Sequence, residues 1–353
     1  MLRSPVLVGR PKLPAQKLAT QVLAILVIGS LVSCSAGSSA TARPAGPPRP
    51  LLSAPEPARA PALTTPPAGR VVTLGGGRPE GMVWDPTSGL IAIGLRSPDR
   101  VALVEPATGA VRTALVYGSA RHLETVPGGG LLVPGEDSDL VTTYDLPSMQ
   151  ARSVVKVGRQ PHDAAVTSDG TLYAADEFGG SVSVVRFGRV VKTFRGLLQP
   201  GGAAGNGDLA AVVDVRSRLT HFYRNDREVA RLPSGDGPTH AVSLGSNGMV
   251  VTDTTGGRLY RYSAGATPVQ TEVLDLPGRP YGTAYDATRQ RLFITATERN
   301  QLLQLAVTPT GLVIEHTYPT VRDAYSVAVD GVSGRVFVSS EIDSTLQILD
   351  PAP

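Results

Sequence analysis

From residue 71 onward the chain alternates short apolar runs with tight polar breaks. One unit reads Gly158-Arg159-Gln160-Pro161, Ala164-Ala165-Val166 and the turn Ser168-Asp169-Gly170. It continues with Leu172-Tyr173-Ala174-Ala175-Asp176, Gly179-Gly180 and Val182-Ser183-Val184-Val185. Short runs rich in Val, Leu and Tyr, bounded by Gly, Asp or Ser, predict β-strands joined by hairpin turns rather than helices. Gly (39) and Pro (30) are frequent and aromatics make up only 5% of the chain, which fits many short strands.

The unit recurs. Its anchoring position falls at Pro79, Arg121, Pro161, Pro200, Pro238, Pro280 and Asp323, in steps of 42, 40, 39, 38, 42 and 43 residues. A four-stranded repeat near this length is the signature of a β-propeller. The expected fold is therefore all-β, a seven-bladed β-propeller of four-stranded blades over residues 70–353. The fourth unit is the weakest, with Gly201-Gly202-Ala203-Ala204 where an apolar strand belongs. The last unit supplies only three strands, at 326–330, 335–339 and 345–349. Val71-Val72-Thr73-Leu74 is a strand without a blade, and it is expected to complete the last one and leave no open edge at the join.

Thr171-Leu172-Tyr173-Ala174-Ala175-Asp176 followed by Ser181-Val182-Ser183-Val184-Val185 resembles YVTN-type propeller repeats, as does 100–105 followed by Pro106-Ala107-Thr108-Gly109. The resemblance covers essentially all of 71–350. It implies the fold, and it implies exported bacterial relatives that bind partners. Related propellers include lactonases and streptogramin-type lyases, and fold alone does not choose among these.

The N-terminus reads as an export signal. Arg3, Arg10, Lys12 and Lys17 precede an apolar stretch over 18–32 that ends in Leu31-Val32-Ser33-Cys34, with no acid before Cys34. Those last four residues resemble the bacterial lipobox. The resemblance implies a signal peptide over 1–33, cleavage before Cys34, and acylation of its thiol by membrane lipid. The expected location is the outer face of the cytoplasmic membrane, held by two or more acyl chains. Cys34 is the single cysteine, so an intramolecular disulfide is excluded. Nine prolines fall within 35–69, and such composition predicts an extended, disordered stalk over 34–69 with a reach on the order of 100 Å.

Charge narrows the partners. The formal net charge of +3 comes from 33 basic and 30 acidic side chains. Removing the four basic residues ahead of Cys34 leaves 33 − 4 = 29 against 30. The mature protein is nearly neutral, and a nucleic-acid partner is not expected.

Candidate chemistry lies just after the anchoring positions, where the innermost strand of each blade begins at one mouth of the channel. Glu80, His122, His162 and Tyr281 stand one step beyond the anchor; Asp163, His240 and Tyr325 stand two. These seven are the candidate ligand-binding residues. His122, His162 and His240 are three of only five histidines and could hold a divalent metal, the one cofactor the pattern admits. His240 is one position out of phase, which by strand alternation would turn it away. A wet polar mouth accounts for the same residues.

Glu136, Asp176, Asp214, Asp253, Glu298 and Glu341 near the ends of second strands read as turn chemistry. The acidic loop 135–139 lacks EF-hand spacing. With no Gly-x-Ser-x-Gly elbow and no phosphate loop, no catalytic residue is assigned. Two functions are expected from these features. One is a membrane-anchored binding or scaffold module for a protein, peptide or glycan. The other is a metal-dependent hydrolase or lyase, lactonase-like or streptogramin-lyase-like, using Glu80, His122, His162 and His240.

Overall fold

Strands such as Leu90–Arg96 and Leu209–Asp214 are buried almost throughout. Their sequences are continuous apolar runs without alternation, as strands covered on both faces require. The outermost strands differ: Arg189–Arg195 reads Arg-Val-Val-Lys-Thr-Phe-Arg and is exposed at every charged position. Charged side chains along an outer edge discourage pairing with another chain.

The computed structural model describes residues 48–352. The expected export signal over 1–33, Cys34 and the Pro-rich segment up to residue 47 lie outside the described residues. From residue 70 the chain forms seven four-stranded antiparallel sheets. Blades one to six span 78–114, 124–156, 161–195, 200–233, 238–275 and 280–319; blade seven combines 324–349 with the first strand, Arg70–Thr73. Arg70 pairs with Ile348 and Thr73 with Thr345, so the first strand closes the ring as expected. Apolar side chains of neighbouring blades meet between the sheets; Ile91, Ile93 and Leu95 of blade one pack with Phe337, Leu346 and Ile348 of blade seven.

The innermost strands carry a shared irregularity. Their pairing with the second strand slips by one residue right after the anchoring position, as between Pro79 and Met82, Pro161 and Asp163, or Pro238 and Ala241. Blades four, six and seven do the same. In blade two the inner strand shrinks to Glu124–Thr125, with an isolated bridge from Ala120 to Gly135. Such bulges bend a strand and re-aim side chains.

The weak fourth repeat has a packing reason. A Cβ at Gly202 would lie 2.3 Å from the Thr239 carbonyl oxygen, and one at Gly205 would lie 1.8 Å from that of Val166. The inner strands of blades three, four and five approach too closely for any side chain there. An apolar strand residue is excluded by its neighbours, not lost by drift.

Residues 51–69 depart from the expectation of a free stalk. They are extended and form no strand, as five prolines favour, yet they are tied to the propeller. Leu51 N–H donates to Arg216 O at 2.7 Å, Ala60 N–H to Asp323 Oδ1 at 2.7 Å, and Ala68 N–H to Pro319 O at 2.9 Å. The propeller presents unpaired polar groups on this face, and an extended backbone can meet them.

Candidate functional site at the channel mouth

His122, His162 and His240 come from blades two, three and five, yet the rings of His122 and His162 lie 4.8 Å apart and those of His122 and His240 4.9 Å apart. Tyr281 meets His240 edge-on at 4.4 Å, and Tyr325 stands 5.5 Å beyond it. Five of the seven candidates thus form one continuous chain of rings. His240 is not turned away by its offset of one position: its ring stands 4.9 Å from that of His122.

Asp163 is the exception. It is buried, accepts the N–H groups of Ala164 and Ala203 at 2.8 Å each, and so fastens blade three to blade four. It lines a different cavity, toward the far ends of the inner strands, together with Glu124. Burial pushes its carboxyl up to about 6 and that of Glu124 to about 7. Glu80 stays at the mouth, 3.9 Å from both Arg96 and Arg121.

Four further mouth residues escaped the reading by strand position: Arg96, Glu136, Glu177 and Gln199. His162 Nδ1 lies 3.1 Å from Glu136 Oε1 and 3.1 Å from Glu177 Oε2. Gln199 Nε2 donates to Glu177 Oε1 at 2.7 Å, and Arg121 approaches Glu136 at 3.8 Å. Asp176, Asp214 and Asp253 accept N–H groups of the connections between blades, those of Gly158, Leu198 and Gly237, rather than only those of the next hairpin. Glu136 and Glu177 stand one residue past their second strands, Leu131–Gly135 and Leu172–Asp176, and turn inward instead. A charged residue at that place in two successive repeats was the available signal.

Electrostatics divide the three imidazoles. Burial alone would lower His162, but hydrogen bonds to the Glu136 and Glu177 carboxylates outweigh it and raise it to about 9. Burial, and the positive charges of His162 and Arg121, hold His240 down at about 3. His122 is driven well below the usual histidine range by burial and by its neighbours His162 and His240. One imidazolium therefore stands beside two neutral imidazoles. His240 Nδ1 is buried and has no hydrogen-bond partner among the described residues.

A cavity of about 270 Å³ opens at this mouth, bordered by His162, His240, Arg121, Tyr281 and Glu177, with Ala54, Pro55 and Glu56 on its outer side. The ligand atoms of the three histidines do not form one convergent group. Among the described residues, the set whose ligand atoms all lie within 4.8 Å of one another is Glu136, His162 and Glu177. Two carboxylate oxygens and one nitrogen suit a divalent cation, which would have to replace the proton that His162 now shares between the carboxylates.

No protein-family model and no curated protein sequence matches the chain. Solved structures do. A streptogramin B lyase superposes with a TM-score of 0.68 at 10% identity, covering 80% of this chain and 96% of that one. A chain of hydrazine synthase from Kuenenia stuttgartiensis gives 0.67 at 18% identity, covering 80% and 97%. A chain of a mitotic checkpoint complex gives 0.69 at 14%, covering 83% and 97%. Proteins so different in their named roles share the propeller fold with this chain, and at these identities the likeness extends to the fold alone.

Proposed function

We propose that the protein is an exported, lipid-anchored propeller that binds a polar group of a protein, peptide or glycan ligand at the channel mouth. The observation that supports this reading is the unpartnered, buried Nδ1 of His240 beside the cavity. A buried polar atom without a partner is costly, and a ligand that pairs with it relieves the cost. The surrounding walls offer donors in Arg121 and the His162 imidazolium, and acceptors in Glu177 and the neutral imidazoles. A ligand carrying both kinds of group, such as a sugar diol or a peptide terminus, complements them. Screening the full chain in detergent micelles against glycan and peptide arrays tests the reading. His240→Ala should remove the signals, and signals indifferent to that substitution would place binding elsewhere.

A second reading, a hydrolase or lyase, is favoured by the split among the imidazoles. Titratable groups whose surroundings drive them apart are the usual arrangement of an acid and a base. In an elimination, a base at the mouth would take a proton from carbon, the electron pair would form a carbon–carbon double bond, and the carbon–oxygen bond would break to release a carboxylate. The His162 cation would stabilise the negative charge that develops on the departing oxygen. A divalent ion would be held by Glu136, His162 and Glu177, and would supply the same electrophilic assistance. Incubation with lactones and cyclic depsipeptides, followed by mass spectrometry, separates the chemistries. Hydrolysis adds one water; elimination leaves the mass unchanged and creates an alkene chromophore. Unaltered substrates, with and without added Mg²⁺, would rule this reading out.

A further inference from the structure

The segment tied across the mouth is more than a linker. Its hydrogen bonds to the propeller all engage the backbone of the segment, and the Arg59 side chain adds an ion pair with Asp323 at 3.9 Å. At one end, Arg216 of blade four grips Leu51 twice: its carbonyl accepts Leu51 N–H at 2.7 Å, and its Nε donates to Leu51 O at 3.0 Å. At the other, Asp323 of blade seven accepts Ala60 N–H at 2.7 Å, and Asn300 Nδ2 of blade six donates to Pro61 O at 3.0 Å. Between these clips the chain passes over the channel, and Ala54, Pro55 and Glu56 border the mouth cavity. Ala54 also packs against the apolar cluster that includes Phe222 and Met249 of blades four and five.

This arrangement resembles a peptide seated on a recognition surface, held by main-chain hydrogen bonds at intervals and kept extended by its prolines. It is also sparse. Pro50, Pro55, Pro57 and Pro61 have no N–H to donate, and the backbone donors that reach the propeller from 51–61 are those of Leu51 and Ala60 alone among the described residues. A segment with few hydrogen bonds and modest burial opens far more readily than the sheets beneath it.

We propose that residues 51–61 are a displaceable strap that occupies the mouth in cis, so that the site is reached only when the strap lifts. This rests on the mouth being the working site, but it can be tested without any ligand. Diethyl pyrocarbonate modifies accessible, unprotonated imidazoles, and peptide mass spectrometry reads each histidine separately. His316 is exposed on the outer strand of blade six and serves as the internal reference; His221, 4% exposed, reports loss of fold.

In the full-length wild-type chain, His122 and His240 should react much more slowly than His316. The double variant Leu51→Pro/Ala60→Pro removes both backbone donors without touching the propeller. It should speed their reaction roughly tenfold or more, the effect of losing two hydrogen bonds, while His316 and His221 keep their rates. Arg216→Ala loosens the same clip from the propeller side and should act in the same direction. Should either variant lose its fold, as a reactive His221 would reveal, the other decides. Equal rates for His122 and His240 in wild type and in a folded variant would overturn the strap. That result would leave ligand binding at the mouth intact, whereas arrays indifferent to His240→Ala would leave the strap intact.

Discussion

The imidazole rings of His122 and His240 stand 4.9 Å apart although blades two and five supply them. Neither can hold a proton cheaply, because both rings are buried and His162 already carries the positive charge of the group. The three rings thus behave as one electrostatic unit, in which the two carboxylates decide where the charge resides.

That division predicts a titration pattern. By NMR, His162 should titrate near 9 and His240 should show no midpoint between pH 5 and 8. Glu136→Gln should bring the His162 midpoint down by about one unit or more, since a charge-assisted hydrogen bond is lost. An ordinary midpoint for His162 in wild type would contradict the geometry.

Stability should follow. The folded value of His162 lies above the unfolded one, so its contribution is complete below about 6.5 and is lost as pH rises through about 9. The shift corresponds to roughly 3 kcal/mol at most. His240 has the opposite sign: its folded value is depressed, so it costs stability as pH falls from about 6.5 toward 3. Urea midpoints should decline between pH 6.5 and 9, and the decline should flatten in His162→Gln.

Gly202→Ala should destabilise the domain by about 1–3 kcal/mol or more, because its Cβ would meet the Thr239 carbonyl oxygen at 2.3 Å. The strain falls beside His240, so the variant should also disturb that imidazole. Gly207→Ala, at an exposed turn with open space around it but with a φ of +58°, should cost about 1 kcal/mol in backbone strain and leave the His240 resonance unchanged. Thermal melts and imidazole spectra of the two variants provide the comparison.

Repeat spacing and the unmatched strand at 71–74 were enough to read the ring and its closure, because both depend on local strand and turn chemistry. The mouth was partly legible for the same reason: equivalent positions in a repeat converge on the axis. Two things were not. The direction of His240 is set by contacts between strands and does not follow from its place in the repeat. Glu136 and Asp176 look alike at the end of an apolar run, yet one residue of offset sends the first to His162 and the second to Gly158 and Ser181. The Pro-rich segment reads as unstructured on its own terms, since its order is supplied by Arg216 and Asp323 of the domain it crosses.

Deleting 70–74 should lower the melting temperature far more than deleting 35–47. The first removes the strand paired with Thr345–Leu349 and takes Leu74, 2% exposed, from the core beside Ile91 and Ile93. Phe337→Ala in the same cluster should cost about 3–5 kcal/mol. Equal melting temperatures for the two deletions would contradict closure by the first strand.

Cys34→Ala should release the protein from the membrane fraction or leave its precursor uncleaved, as the proposed lipid anchor requires. Fractionation and metabolic labelling with a palmitate analogue check this. A variant that still partitions with membranes and still takes up label would refute the anchor.

Closing the ring with Arg70–Thr73 against Thr345–Leu349 joins the earliest residues of the domain to nearly the last. During synthesis the first strand must therefore wait until Thr345–Leu349 has been made before its partner exists. Every prematurely ended chain keeps an unpaired strand and an incomplete seventh blade, a defect that proteases can recognise. Completion of the circle thus delays final folding of the domain until its seventh blade has been made.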